Sequence, residues 1–212
     1  MLQYNEKATI LNINEPTKDK ISVDIKDKCP MIITLNEGER LPINLSYLQT
    51  LTPGYIINEN EKLISLDELS TSPTYTIERN KKIVMDMDLK SYISHQEIFE
   101  DHIHCNKRVL LSLYKGDISS ELKKNYNELL LIQPLSGTLT VYLFNPKHEK
   151  DIKGLEPNTI KKWGIKVTIT NENIIYVPPE WYYFYESKDE STVIYTEIDT
   201  YFSVLFNQLR KK

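Results

Sequence analysis

The stretch IIYVPPEWYYFYES, residues 174–187, decides the fold. An apolar run of strand character ends in two prolines, and five aromatic residues follow in an unbroken row. Pro178 and Pro179 carry no amide hydrogen, so ladder pairing must lapse there and the chain can turn a corner. Beyond the corner, a strand sets Trp181, Tyr183 and Tyr185 on one face and Tyr182 and Phe184 on the other. One set belongs in an interior, and the other beneath a covering lobe or a partner. The stretch therefore reads as a bend between two barrel strands.

Working outward, the neighbouring sequence divides into similar pieces. RVLLSLYKG (108–116), NELLLIQPL (127–135), GTLTVYLF (137–144), WGIKVTIT (163–170), NIIYVP (173–178), WYYFYES (181–187) and STVIYTEI (191–198) all predict strands. Turn signals at SG (136–137), NEN (171–173) and SKDES (187–191) separate them. Upstream, ATILNIN (8–14), ISVDI (21–25) and MIITL (31–35) predict short strands. NLSYLQTL (44–51) predicts a helix with Leu45, Leu48 and Leu51 on one side behind an Asn44 cap. DLKSYISHQEIFED (88–101) predicts another short helix.

The last stretch, DTYFSVLFNQLRKK (199–212), predicts a helix capped by Asp199 or Thr200. Its broad apolar face carries Tyr201, Phe202, Leu205, Phe206 and Leu209, which suits a protein contact. Strands at this spacing, with no long helices between them, predict a mainly β sandwich or barrel. One domain is expected over 1–212: N-terminal strands and short helices to 107, core barrel strands over 108–198, and the C-terminal helix from 199.

The charge balance excludes some function classes. A net charge of −4 over 212 residues is unlike a phosphate-tracking surface, so no nucleic-acid partner is expected. The basic clusters NKK (80–82) and LRKK (209–212) read as solvated turns or ends. No apolar run approaches the ~20 residues of a membrane span, and the first residues are unlike a signal peptide. The expectation is an intracellular protein, cytoplasmic or nuclear, with no membrane partner. Cys29 and Cys105 lack metal-type spacing and are expected as reduced thiols. Lysine far outnumbers arginine, and Ala8 is the only alanine, which fits an AT-rich coding genome such as that of some protists or large DNA viruses.

At ENIIYVPPEWYYFYES (172–187) the sequence resembles the JmjC-type and cupin-like 2-oxoglutarate oxygenases. Their corresponding segment has the general form Gly-Asp-apolar-Leu-Tyr/Phe-Ile-Pro-x-x-Trp-Trp-His-x-Val. LLIQPLSGTLTVYLFNP (130–146) is similar to the family's strand pair Phe-x-Gln-x-x-Gly-x-Lys-x-Trp-x-Leu-Phe-Pro-Pro, with one extra residue before Gly137. CPMIITL (29–35), NLSYLQTL and MDMDLKSYI (85–93) fall where the family has a first strand and two short helices. The resemblance spans about residues 29 to 198. It implies a double-stranded β-helix, the jelly-roll or cupin barrel of about eight strands.

The resemblance also implies where chemistry would sit. The family holds Fe(II) with two histidines and a carboxylate, leaving positions open for 2-oxoglutarate and oxygen. The distal histidine position is Tyr183 here, and the His-x-Asp pair falls near Lys123 and Asn125. The lysine that pairs with 2-oxoglutarate matches Leu139. Widening the search to 116–127 adds only Asp117 and Glu121.

The expected protein is therefore a pseudo-oxygenase with no cofactor, a binding or structural module whose Leu139, Tyr142, Trp181 and Tyr183 fill the pocket space. Its expected partner is another protein or a second copy, bound through the C-terminal helix. Two alternatives stay open. One is a hydroxylase using Fe(II) and 2-oxoglutarate with displaced ligands drawn from Asp117, Glu121, His102 or His104. The other is a metal-free barrel that binds a small molecule beside Tyr183.

Other motifs are sparse. DHIHC (101–105) alternates His102 and His104, which makes half a metal site, and His95 and His148 are not suggestively placed. No Ser-His-Asp or Cys-His arrangement is legible, and six glycines supply no phosphate loop. Glu186 and Asp189 read as surface charges.

Overall fold

The computed structural model describes residues 10–14, 16–36, 42–59, 62–92, 104–201 and 203–205. The N-terminal part runs β1 (Leu11–Ile13), α1 (Lys18–Lys26), β2 (Met31–Thr34), α2 (Leu45–Leu51), β3 (Ile56–Glu59), β4 (Lys62–Ser65), α3 (Leu66–Thr71), β5 (Tyr75–Asn80) and α4 (Lys81–Asp86). The C-terminal part continues with β6 (His104–Lys115), β7 (Ile118–Ser119), β8 (Lys123–Lys124), β9 (Leu129–Ser136) and β10 (Leu139–Phe144). Two short helices follow, α5 (Glu149–Ile152) and α6 (Pro157–Ile160). The last strands are β11 (Ile165–Ile169), β12 (Asn173–Val177), β13 (Tyr182–Ser187) and β14 (Ser191–Thr200).

The protein is mainly β. One sheet has the order β1-β2-β12-β9-β14-β6-β5. A second has the order β11-β10-β13-β7, with β8 also pairing β13. The β3–β4 hairpin stands apart from both. Neither large sheet closes on itself, so the chain forms open sheets, compatible with the sandwich of the sandwich-or-barrel expectation.

Strand alternation builds the layers. Leu130, Ile132, Val193 and Tyr195 of the large sheet share one apolar interior with Leu139, Val141, Leu143, Trp181, Tyr183 and Tyr185 of the small one. The opposite residues of the small sheet, Tyr142, Phe144, Tyr182 and Phe184, pack with Ile152 and Ile160 from α5 and α6. The aromatic row of β13 is thus split as its alternation predicts, one set inside and one beneath a covering lobe. The outer face of the large sheet is covered in two places. Val109, Leu111, Leu113 and Ile194 pack on residues of α2, α3 and α4, while Leu131, Ile174 and Tyr176 pack with Ile21 of α1.

Several local expectations hold in the structure. Asn44 caps α2, accepting the Tyr47 amide hydrogen at 2.9 Å. Tyr201 and residues 203–205 are helical, and Thr200 Oγ1 accepts the Ser203 amide hydrogen at 3.2 Å. Phe202, Phe206 and Leu209 of that predicted helix lie outside the described residues.

ISVDI is a correction: it belongs to helix α1, not to a strand. Ile21 and Ile25 lie four apart and turn to the same apolar cluster, and Thr17 caps the helix. Helical spacing outweighs the β-branched composition there. The helix predicted over 88–101 is a 3-10 turn at Leu89–Tyr92, beyond which it leaves the described residues.

Candidate functional site

The proline corner is a tight turn clasped from the side. The Trp181 amide hydrogen reaches the Pro178 carbonyl at 3.3 Å, and Glu180 sits at φ 69. Proline at the second position and a positive φ at the third are the pattern of a type II turn. The ladder bonds missing at the prolines are replaced by Asn125, which is 1% exposed. Its amide hydrogen bonds the Trp181 carbonyl at 2.8 Å, and its carbonyl accepts the Glu180 amide at 2.8 Å. Its side-chain Nδ2 donates to the Val177 carbonyl at 2.8 Å. Asn125 is a structural clasp.

β8 lies against the start of β13, with Lys123 opposite Tyr183 and Lys124 opposite Tyr182. The positions picked out by the resemblance, 123, 125 and 183, therefore meet in space, and Leu139 is buried in the same interior. Trp181 joins them there. Tyr142 does not, which corrects its place among the pocket residues: it points to the other face and stacks on Phe184 at 4.6 Å between centroids.

Tyr183 does not face empty space. Its hydroxyl accepts a hydrogen bond from Arg79, whose guanidinium also pairs with Glu197. Glu197 is only 4% exposed, and its second oxygen meets Arg108 at 2.9 Å. Asp199 lies 3.8 Å from the same Arg108 nitrogen. The Arg79 guanidinium also lies over the Tyr195 ring at 4.7 Å. Burial pushes the Tyr183 phenol above its ordinary pKa against the opposing pull of Arg79, so the hydroxyl stays protonated.

Arg79 reaches this place through a backbone irregularity. Tyr75 and Ile77 of β5 point to the outer apolar cluster, so plain alternation would send Arg79 outward with them. Instead the register of β5 on β6 shifts between Ile77 and Asn80, and Arg79 adopts φ 50. Its amide hydrogen is taken by Ser112 Oγ at 2.8 Å. A bulge of this kind re-aims a side chain. No pattern in the linear sequence marks it.

Deeper inside, polar groups pair with one another. Tyr114 bonds Tyr185 at 2.8 Å and Tyr195 at 3.2 Å through their hydroxyls. The Tyr185 hydroxyl donates to Glu78 at 3.1 Å, and Lys123 pairs with Glu78 at 3.0 Å. At the mouth of this interior is an open cleft of about 980 Å³, lined by Arg79, Arg108, Asn127, Tyr183, Glu197 and Asp199 among others.

The donor set does not fit Fe(II). The carboxylate nearest Tyr183, Glu197, is spanned by two guanidiniums, which repel a dication. Asp117 and Glu121 are exposed. His102 and the side chain of His104 lie outside the described residues. Among the described residues, no group of three or more His, Cys, Asp or Glu side chains is placed to hold a metal ion. No described helix is long and apolar enough to cross a membrane. No protein-family model matches the chain, and no curated protein matches it.

Proposed function

We propose that the chain is a non-catalytic, cupin-like jelly-roll domain that works by binding. Its strand order supports the fold assignment. Pairs β6·β14 and β9·β12 lie in the large sheet, while β8·β13 and β10·β11 lie in the small one. Each pair joins strands nested ever closer in the chain, the wrapping expected of a double-stranded β-helix.

The observation that carries the functional reading is the Arg79–Tyr183–Glu197 network. It occupies the region where the resemblance would put iron, and its guanidinium bonds the phenol and the carboxylate there. Iron and manganese analysis of protein purified from metal-supplemented cells tests this. Less than about a tenth of an equivalent is expected, whereas a stoichiometric metal would overturn the reading.

The partner surface follows from the C-terminal helix. Tyr201 is 68% exposed and Leu205 56%, one helical turn apart on the same side. Two large apolar groups so placed favour a protein partner or a second copy of the chain. Light scattering on the full chain and on a chain ending at Thr200 reads this. A full-length monomer that captures no protein partner and is unchanged by the cut would refute it.

The open cleft favours a second mode of binding, in which a small molecule is held without metal.

A further inference from the structure

We propose that the cleft between Arg108 and Tyr126 binds a neutral sugar unit. The inference rests on the domain binding without turnover, and it adds the chemical class of the ligand.

Charge comes first. Three cations line the cleft, Arg79, Arg108 and Lys124, together with three carboxylates, Glu149, Glu197 and Asp199. They are already matched. Arg79 and Arg108 hold Glu197, and Lys124 is shared between Glu180 at 3.1 Å and Glu149 at 3.3 Å. An entering anion would meet Glu197 and Asp199, and an entering cation would meet two guanidiniums. Neither charge sign gains, so the favoured ligand is neutral and polar.

The cleft offers fixed, planar hydrogen-bonding groups to such a ligand. Arg108 is held by Glu197 and by Asn127 Oδ1 at 3.1 Å. The Arg79 side chain is 25% exposed and that of Arg108 42%, so each guanidinium keeps accessible surface toward which ligand hydroxyl oxygens can turn.

An apolar platform stands beside these groups. Tyr126 is 51% exposed, carries the Lys124 ammonium 5.9 Å from its ring centroid, and lines this cleft and also its neighbour of about 750 Å³. A pyranose presents hydroxyls at its edge and C–H groups on its face, so one unit can meet the arginine donors and lay its face on the Tyr126 ring. Because Tyr126, Lys124 and Glu149 line both clefts, a second linked unit has room to continue.

The test is an array of immobilised neutral and acidic glycans probed with the full chain, with free neutral monosaccharides and disaccharides as competitors. Neutral glycans are expected to bind, acidic ones less, with little loss between 0.15 and 1 M salt. Competition by free sugars separates recognition of a sugar unit from recognition of its linkage to a carrier. Tyr126→Ala should weaken binding by about tenfold or more, while Tyr126→Phe, which keeps the ring, should stay within about threefold. Tyr126→Phe keeps the ring that Lys124 faces at 5.9 Å, so the melting temperature of this variant should match the parent protein. Absence of neutral-glycan binding, full binding by Tyr126→Ala, or salt-sensitive capture of acidic glycans in their place would each overturn the proposal. None of these results would alter the metal content, which tests the non-catalytic reading separately.

Discussion

Glu197 is almost fully buried between Arg79 and Arg108, so each guanidinium is worth more by its removal than by its presence. Arg79→Ala leaves the carboxylate with Arg108 alone, and the Tyr183 hydroxyl loses its donor. A loss of about 3 kcal/mol is expected, toward the low end for breaking a buried pair because one partner survives. Urea unfolding with an unchanged slope would measure it; a loss under about 0.5 kcal/mol would show that the network contributes nothing. Asn125→Ala removes the donor that satisfies the Val177 carbonyl and should cost about 2 kcal/mol. At this scale the sequence carries the position of Tyr183 and its burial, through the Pro-Pro corner and the alternation after it. It carries nothing of Arg79, whose inward aim depends on a bulge formed only when β5 meets β6. Nor does it show Asn125 as a clasp, because the nearest of the corner groups it binds lies 52 residues away.

Among the elements, the turn between β9 and β10 is the most sensitive. Gly137 has φ 75, and a Cβ there would come within 2.3 Å of the Glu190 carbonyl oxygen. Gly137→Ala should therefore destabilise by more than about 2 kcal/mol, because strained backbone and a backbone clash add. A melting temperature within 2 °C of the parent would contradict that close approach. The Ser-Gly pair marks this turn in the sequence, and the long apolar strands around it are equally legible because both of their faces are buried. The short strands β7 and β8 leave no such trace. Two residues cannot show a period, and β13 alone makes them strands. Helix α1 misleads for a related reason: Ile, Val and Ile in one short stretch carry strand propensity, while the Ile21–Ile25 spacing serves a helix.

For the whole molecule, the phenols set the behaviour in alkali. Burial raises Tyr114, Tyr176, Tyr183, Tyr185 and Tyr195 above the ordinary tyrosine pKa, and Tyr182 rises to about 12. Above pH ~10 the unfolded chain loses phenol protons that the folded chain keeps, so stability falls as pH rises and is unaffected by these groups below that point. Absorbance at 295 nm should show the buried tyrosines ionising together with unfolding, not in a gradual titration near pH 10. The division of the aromatic row into an interior set and a set beneath a covering lobe is readable from residues 174–187. The open edges, the cover provided by α2 to α4 and the cleft are not, because they depend on which strands become neighbours.

Thermal shift with Mn(II) and 2-oxoglutarate bears most directly on the central claim, that an arginine–phenol–carboxylate network occupies the region where the proposed resemblance would put iron. The melting temperature is predicted to stay within about 1 °C of the unliganded value, since a ligand without a site adds no linkage stabilisation. A rise of about 5 to 10 °C, the response to a ligand at a hundredfold excess over its Kd in a chain of this size, would contradict the account.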